Sequence, residues 1–337
     1  MSFRPWDFTV TMTDMNPELD LSSSLGTMVP VEPRRVSKSS EPTVEQKFFD
    51  QAEALSKNPP ILQTTHRVIL GDAREMSGLT EPIQLVVTSP PYWTLKEYDG
   101  AAGDDQLGHW KDYESFHDQL DKTWKRCYDL LVPGGRLCVV VGDVCLSRKK
   151  NGRHHVVPLH SDISVRCRRI GFDYLTPILW YKIANAATEV EGNGSPFLGK
   201  PYEPNSVVKN DVEYILLLRK PGGYRNPTTE QRLLSLIDKE DHSRWFRSVW
   251  TDVPGSSRLK GHPAPFPVEL VYRLIRMFSF VGDTVLDPFL GTGSTTEAAK
   301  TAHRSSIGYE IEPKYISIVK DRFSQIEDGD SPVYFEP

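Results

Sequence analysis

Apolar residues recur along this chain in short blocks whose period changes, and the changes mark the elements. Arg67 to Leu70 is an extended apolar run that stops at Gly71-Asp72, and Ile83 to Val87 is a second, stopped by Thr88-Ser89-Pro90-Pro91. Tyr113, Phe116, Leu120, Trp124, Cys127 and Leu131 repeat at helical spacing, and Pro133-Gly134-Gly135 is expected to end that helix. Leu137 to Val141 is continuously apolar, as in a parallel strand covered on both faces. A helix is expected near Leu159 to Ile170, and strands at Tyr174 to Trp180 and Val212 to Leu218. After Pro267 the pattern resumes with a helix through Val268, Val271, Leu274, Ile275 and Phe278 and a strand at Thr284 to Leu286. A helix at Thr295 to Ala302, a strand at Ser306 to Tyr309 and a last helix opened by Pro313 follow. Alternating strands and helices predict an α/β fold, with a mostly parallel sheet and helices on both faces.

Two stretches break the pattern. Residues 1–60 are rich in Ser, Pro, Thr and acidic side chains and read as a flexible extension, with one short helix expected at 43–56. Residues 185–260 carry many Gly, Pro, Asn and Ser and read mostly as inserted, recognition-type loops. The 337 residues are 38% apolar and 25% charged, which excludes a disordered, collagen-like or membrane-embedded chain. There is no membrane-length apolar run and no secretory signal pattern. The four cysteines form no C-x-x-C pair, so reduced thiols in a cytoplasmic protein are expected. The net charge of −5 allows at most a local basic face for nucleic acid.

Two segments carry chemistry. Asp287-Pro288-Phe289-Leu290-Gly291-Thr292-Gly293-Ser294-Thr295 follows an apolar strand and opens a helix. Glycines at such a bend let a ligand approach the backbone, and free N–H groups with the Ser294 and Thr295 hydroxyls can bind it. Glu310 closes the next strand, where an acid in nucleotide-binding sheets bonds ribose hydroxyls. The dinucleotide fingerprint fails because no third glycine follows, and the phosphate-binding loop fails because no Lys follows. Thr88-Ser89-Pro90-Pro91-Tyr92-Trp93 ends another buried strand. Its prolines remove two backbone donors, which leaves nearby carbonyls and Ser89 to accept from a ligand beside two aromatic faces. No metal site stands out, since His154-His155 lies among Arg148, Lys149, Lys150 and Arg153 as in a basic loop.

Together these segments resemble the amino-group DNA methyltransferases that use S-adenosylmethionine, which have a Rossmann-like fold. The Asp287-to-Gly293 run is similar to their cofactor loop, and Thr88-to-Tyr92 to their catalytic loop, in the S-P-P-Y form of the N4-cytosine type. The catalytic loop comes first, which resembles the permuted β subgroup. Gly71-Asp72, Trp180-Tyr181-Lys182 and His262-Pro263-Ala264-Pro265-Phe266-Pro267 are secondary matches, and the resemblance covers about residues 64–325. It implies that Tyr92 stacks on a flipped base in the Ser89-Pro90-Pro91-Tyr92 pocket, while Ser89 and the Pro90 carbonyl accept from its amine. It places Asp72 at the adenine of the cofactor, Glu310 at the ribose, and Thr88, Asp287, Pro288, Phe289, Gly291, Gly293, Ser294, Thr295, His262, Pro263 and Phe266 around the rest. Trp180 reads as core.

The implied organisation is a catalytic half at 61–184, a target-recognition region at 185–260, a cofactor half at 261–325 and a tail at 326–337. The implied partner is double-stranded DNA, and the family setting also allows a homodimer and pairing with a restriction endonuclease. Arg148, Lys149, Lys150, Arg153, Arg219, Lys220, Arg225, Arg244, Arg247, Arg258 and Lys260 are expected on the DNA face. The alternatives are adenine N6 as target, an RNA substrate, and a non-catalytic DNA-binding or cofactor-sensing module. Covalent C5 chemistry is disfavoured, because no Pro-Cys pair exists.

Overall fold

The computed structural model describes residues 62–76, 78–93, 107–182, 210–255, 266–324 and 330–337, with Lys47, Asp50, Gln51, Glu53 and Leu55. Those five are helical, inside the helix expected at 43–56, and the rest of the N-terminal extension lies outside the described residues. In chain order come β1 (His66–Leu70), β2 (Ile83–Thr88), α1 (Tyr113–Leu130) and β3 (Leu131–Val141). A hairpin of β4 (Val144–Leu146) and β5 (His155–Val157) carries the short α2 (Arg148–Asn151) between its strands. Next are α3 (Leu159–Ile170), β6 (Asp173–Tyr174), β7 (Ile178–Tyr181) and β8 (Val212–Arg219). The chain continues through α4 (Thr229–Leu234), α5 (Lys239–Trp245), β9 (Val249–Trp250), α6 (Val268–Phe278) and β10 (Thr284–Asp287). It closes with α7 (Ser294–Thr301), β11 (Ser305–Glu310), α8 (Pro313–Phe323) and β12 (Val333–Glu336).

Among the described residues ten strands make one sheet, in the order β12-β1-β11-β10-β2-β3-β8-β7-β9, with β6 also on β8. Every pairing from β12 to β3 is parallel, as is β7 with β9, and in this sheet β8 alone of the described strands runs against its neighbours. The sheet is buried on both faces. Val86, Leu137, Val139 and Val141 pack with Leu120 and Trp124 of α1 and Ile163 of α3. Their neighbours Leu85, Val87, Cys138 and Val140 pack with Leu270, Leu274 and Ile275 of α6 and Ala298 of α7. The period-two alternation of strand side chains thus loads both layers, and continuous apolar runs are what that requires.

Local chemistry sets the ends. Asp112 caps α1 by accepting from Ser115 N–H at 2.7 Å, and Pro313 stands in the first turn of α8. Pro133-Gly134-Gly135 does not separate helix from strand as expected, because it lies inside β3, at an irregularity in its pairing with β2. Gly134 has φ +79°, and a Cβ there would come within 2.5 Å of the Gly223 carbonyl oxygen, so the crossing at that point admits only glycine.

Three expectations need correction. The strand expected at Tyr174 to Trp180 is broken into β6 and β7, with Pro177, which lacks a ladder donor, between them. Residues 326–337, expected as a tail, supply β12, which pairs with β1. The recognition region expected at 185–260 is interrupted by the strand expected at Val212 to Leu218, since β8 belongs to the central sheet and pairs along β3, with Ile215 to Leu218 buried. Residues 183–209 and 256–265 lie outside the described residues, and with them His262, Pro263, Arg258 and Lys260.

Candidate active site

Five of the described strands end at one cavity. Gly71 and Asp72 follow β1, Ser89 to Tyr92 follow β2, Lys182 follows β7, Pro288 to Gly291 follow β10, and Glu310 ends β11. Because β8 is reversed, its beginning arrives at the same edge and contributes Glu213. Phe266, Phe289, Tyr309 and Tyr315 add aromatic wall. This is the carboxyl edge of the sheet, where open α/β folds bind ligands.

The two segments singled out in the sequence are joined directly. Thr88 Oγ1 donates to Asp287 Oδ1 at 2.7 Å across 199 positions of chain. Asp287 also accepts from Thr295 Oγ1 at 2.6 Å and from Phe289 N–H at 3.0 Å. It is fully buried, and burial pushes its carboxyl up to about 6 even though all three donors favour the charged form. Thr88, Asp287, Gly293 and Thr295 therefore stand behind the cavity wall as its frame; among the described residues they are not part of its lining. Asp72, Phe266, Pro288, Phe289, Gly291, Ser294 and Glu310 do line it.

Glu310 Oε2 accepts from Gly291 N–H at 2.8 Å and Oε1 from Glu312 N–H at 2.9 Å. Burial, against those two bonds and together with the nearby Asp287 and Glu312 charges, pushes its carboxyl up to about 7. The Asp72 carboxylate accepts from Arg74 N–H at 2.8 Å and is paired with the Arg74 guanidinium. Gly293, with φ +85°, caps α7 and lies against Val319 and Phe323, which brings the helix start up to the bend. Thr292 lines the cavity, and its buried hydroxyl has no hydrogen-bond partner among the described residues.

On the other side, Tyr92 is buried against Gly142. Its hydroxyl accepts from Ser89 Oγ at 3.4 Å and donates to Glu213 Oε2 at 3.3 Å, with the Val140 carbonyl at 3.5 Å. Glu213 Oε1 accepts from Lys182 Nζ at 2.8 Å. Trp180 is core, with its Nε1 donating to the Val253 carbonyl at 2.8 Å, yet it also reaches the cavity.

The family model described as DNA methylase, for N6 and N4 amino-methyltransferases, matches residues 83–321. The chain belongs to this family. The methylase is 38% identical to the Type II methyltransferase M.MjaI of Methanocaldococcus jannaschii, over 77% of this chain and 92% of that relative. It is 34% identical to M.MthZI of Methanothermobacter thermautotrophicus, over 78% of each. Among solved structures, TTHA0409 of Thermus thermophilus, described as a putative DNA modification methylase complexed with S-adenosyl-L-methionine, is 48% identical. That match covers 80% of this chain and 99% of the other, with a TM-score of 0.64. The PvuII DNA methyltransferase, cytosine-N4-specific, superimposes with a TM-score of 0.56 at 21% identity over 80% of this chain and 91% of the other, a likeness of fold.

Arg74, Lys182, Glu213, Tyr309 and Tyr315 of the methylase line the cavity without having been assigned to it from sequence. Lys182 had a signal in the Trp-Tyr-Lys match, whereas Glu213 had none, because one acid at the start of an apolar strand reads as a strand end. Several residues expected on the DNA face lie elsewhere. Arg219 pairs with Asp173, Lys220 Nζ donates to the Leu131 carbonyl, and Arg225 pairs with Asp283. Arg219 is opposite Arg136, at the start of the buried part of β3, so the reversal of β8 carries these cations to the amino edge of the sheet, away from the cavity.

Proposed function

We propose that this methylase transfers a methyl group from S-adenosylmethionine to the N4 amine of a cytosine flipped out of duplex DNA. The observation that carries the proposal is the Thr88–Asp287 bond, which holds the Ser-Pro-Pro-Tyr corner and the glycine bend on one cavity. The cavity fits the cofactor in its chemistry. Glu310 offers a buried acceptor for ribose hydroxyls, the aromatic walls suit a purine and a sulfonium, and Thr292 has a hydroxyl, without a partner among the described residues, for the polar end. When bound, S-adenosylmethionine supplies a methyl on a positively charged sulfur.

The protein's own groups do the rest. An aromatic amine is a poor nucleophile, because its lone pair is delocalised into the ring. Ser89 Oγ and the Pro90 carbonyl accept from the amine, favour its pyramidal form and stabilise the positive charge that develops on nitrogen. Tyr92 provides the stacking face, and its buried ring excludes water. One cavity lined by both segments would hold the methyl donor and the amine together, and the reaction would gain from that proximity. Ser89, in the S-P-P-Y form, favours cytosine over adenine. Arg148 and Lys149 lie in α2, within the hairpin that follows the carboxyl end of β3, and are the cations best placed to meet DNA phosphates. The Type II names of the relatives support a restriction-modification setting.

The test is incubation of the purified protein with labelled S-adenosylmethionine and unmodified genomic DNA, followed by nucleoside mass spectrometry. N4-methylcytosine is the expected product. N6-methyladenine alone would move the target to adenine, and 5-methylcytosine would refute the mechanism.

A further inference from the structure

The end of β7 and the start of β8 set two opposite charges into the cavity wall. Lys182 Nζ and Glu213 Oε1 are 2.8 Å apart, with side chains only 17% and 14% exposed. Burying such a pair costs desolvation that the attraction seldom exceeds, so it contributes little to stability, and its place in a cavity points to a ligand. Glu213 also accepts from the Tyr92 hydroxyl, so the charges are tied to the aromatic platform and through it to Ser89. Gly142 packs closely against both groups, since a Cβ there would lie 3.3 Å from Glu213 Cγ and 3.5 Å from Tyr92.

The chemistry of the four bases gives this arrangement a meaning. Cytosine and adenine each present an amine beside a ring nitrogen that accepts a hydrogen bond. Thymine and guanine present the reverse, a carbonyl beside a ring N–H that donates. A pocket that takes only amino bases needs acceptors at the exocyclic position and a donor one atom along. Ser89 and the Pro90 carbonyl are the acceptors. A lysine ammonium has donors and no acceptor, so it would face the ring N–H of a keto base with two donors in opposition. We infer that Lys182, oriented by Glu213, donates a hydrogen bond to the ring nitrogen beside the target amine and thereby selects amino bases over keto bases. The inference rests on Ser89 to Tyr92 as the base pocket, and holds for either amino base.

The experiment is single-turnover methyl transfer on a synthetic duplex bearing the site found by modification mapping. The target base is either natural or its deaza analogue, 3-deazacytosine if the product is N4-methylcytosine and 1-deazaadenine if it is N6-methyladenine. The analogue replaces the ring acceptor by C–H, and it is expected to slow the wild type about tenfold or more. Lys182→Met is expected to lose about as much on the natural base and nothing further on the analogue, since both changes remove one contact. Lys182→Gln, with a neutral donor, should fall between. Equal wild-type rates on the two duplexes overturn the inference without any variant, so a misfolded Lys182→Met does not protect it. An undiminished analogue penalty in Lys182→Met also overturns it. A wild type that methylates no DNA fails earlier, at the base-pocket assignment, and takes this inference with it.

Discussion

The glycine bend and the Ser-Pro-Pro-Tyr corner share a cavity and are built in opposite ways. At the bend, Asp287 holds three donors at 2.6 to 3.0 Å and Glu310 two at 2.8 and 2.9 Å. At the corner, Tyr92 makes contacts of 3.3 to 3.5 Å, well beyond the usual O–H···O length of about 2.7–2.8 Å. Two prolines have removed the donors that could lock the corner to the backbone, and Trp93 sits at φ +43°. Asp287 and Glu310 spend their acceptors on the shape of the bend, so it is formed before a ligand arrives, with the Thr292 hydroxyl turned to the cavity. At the corner, the contacts of the Tyr92 hydroxyl with Ser89, Glu213 and the Val140 carbonyl are long, and such contacts tighten when the reacting partner is present.

The largest effect expected from this division is at the corner. Ser89→Ala should lower the methyl-transfer rate by about 100-fold or more, the usual loss for one preorganised group at the reacting centre. Rapid-quench assays read this, and an unchanged rate removes Ser89 from the chemistry. Next is the frame. Thr88→Val keeps the shape and leaves Asp287 short of one donor, which should cost about 1–3 kcal/mol of stability. A lower urea midpoint at unchanged slope is the expected signature.

The bend should also show in pH. Glu310 titrates near 4.5 when unfolded and at about 7 in the fold, so the folded state prefers it protonated. Its contribution to stability is complete below pH 4.5 and is lost as pH rises through about 7. Asp287, raised from 3.8 to about 6, acts in the same direction. The urea midpoint of the wild type should fall across this range, and Glu310→Gln should flatten its upper part. The smallest effects are at the surface. Arg148→Ala or Lys149→Ala should each reduce the slope of log affinity for DNA against log salt by about one, if each meets one phosphate. Arg225→Ala should leave that slope unchanged and lower stability instead, because Asp283, 4% exposed, would lose its charged partner.

The sequence showed the cofactor half more fully than the base half, for a physical reason. Thr284 to Glu310 is strand, bend, helix and strand in close succession, and local pattern fixes all four. Val212 to Leu218 was visible as a strand, but its direction was not, because an apolar run reads the same for either sense. That missing sign misplaced Arg219, Lys220 and Arg225 and hid Glu213. β12 is too short for its alternation to stand out, and its pairing with β1 is set by contacts far away in the chain. Asp287 was legible as a site residue, but its role in the frame depends on Thr88, which no spacing rule connects to it.

The division of labour between the two walls is tested most directly by calorimetric titration of S-adenosylmethionine into Ser89→Ala and Glu310→Gln side by side. Ser89→Ala should bind as the wild type does, while Glu310→Gln should bind about tenfold or more weakly, as expected when hydrogen bonds to a buried carboxyl are lost. Equal losses in the two variants, or a loss confined to Ser89→Ala, would contradict the account.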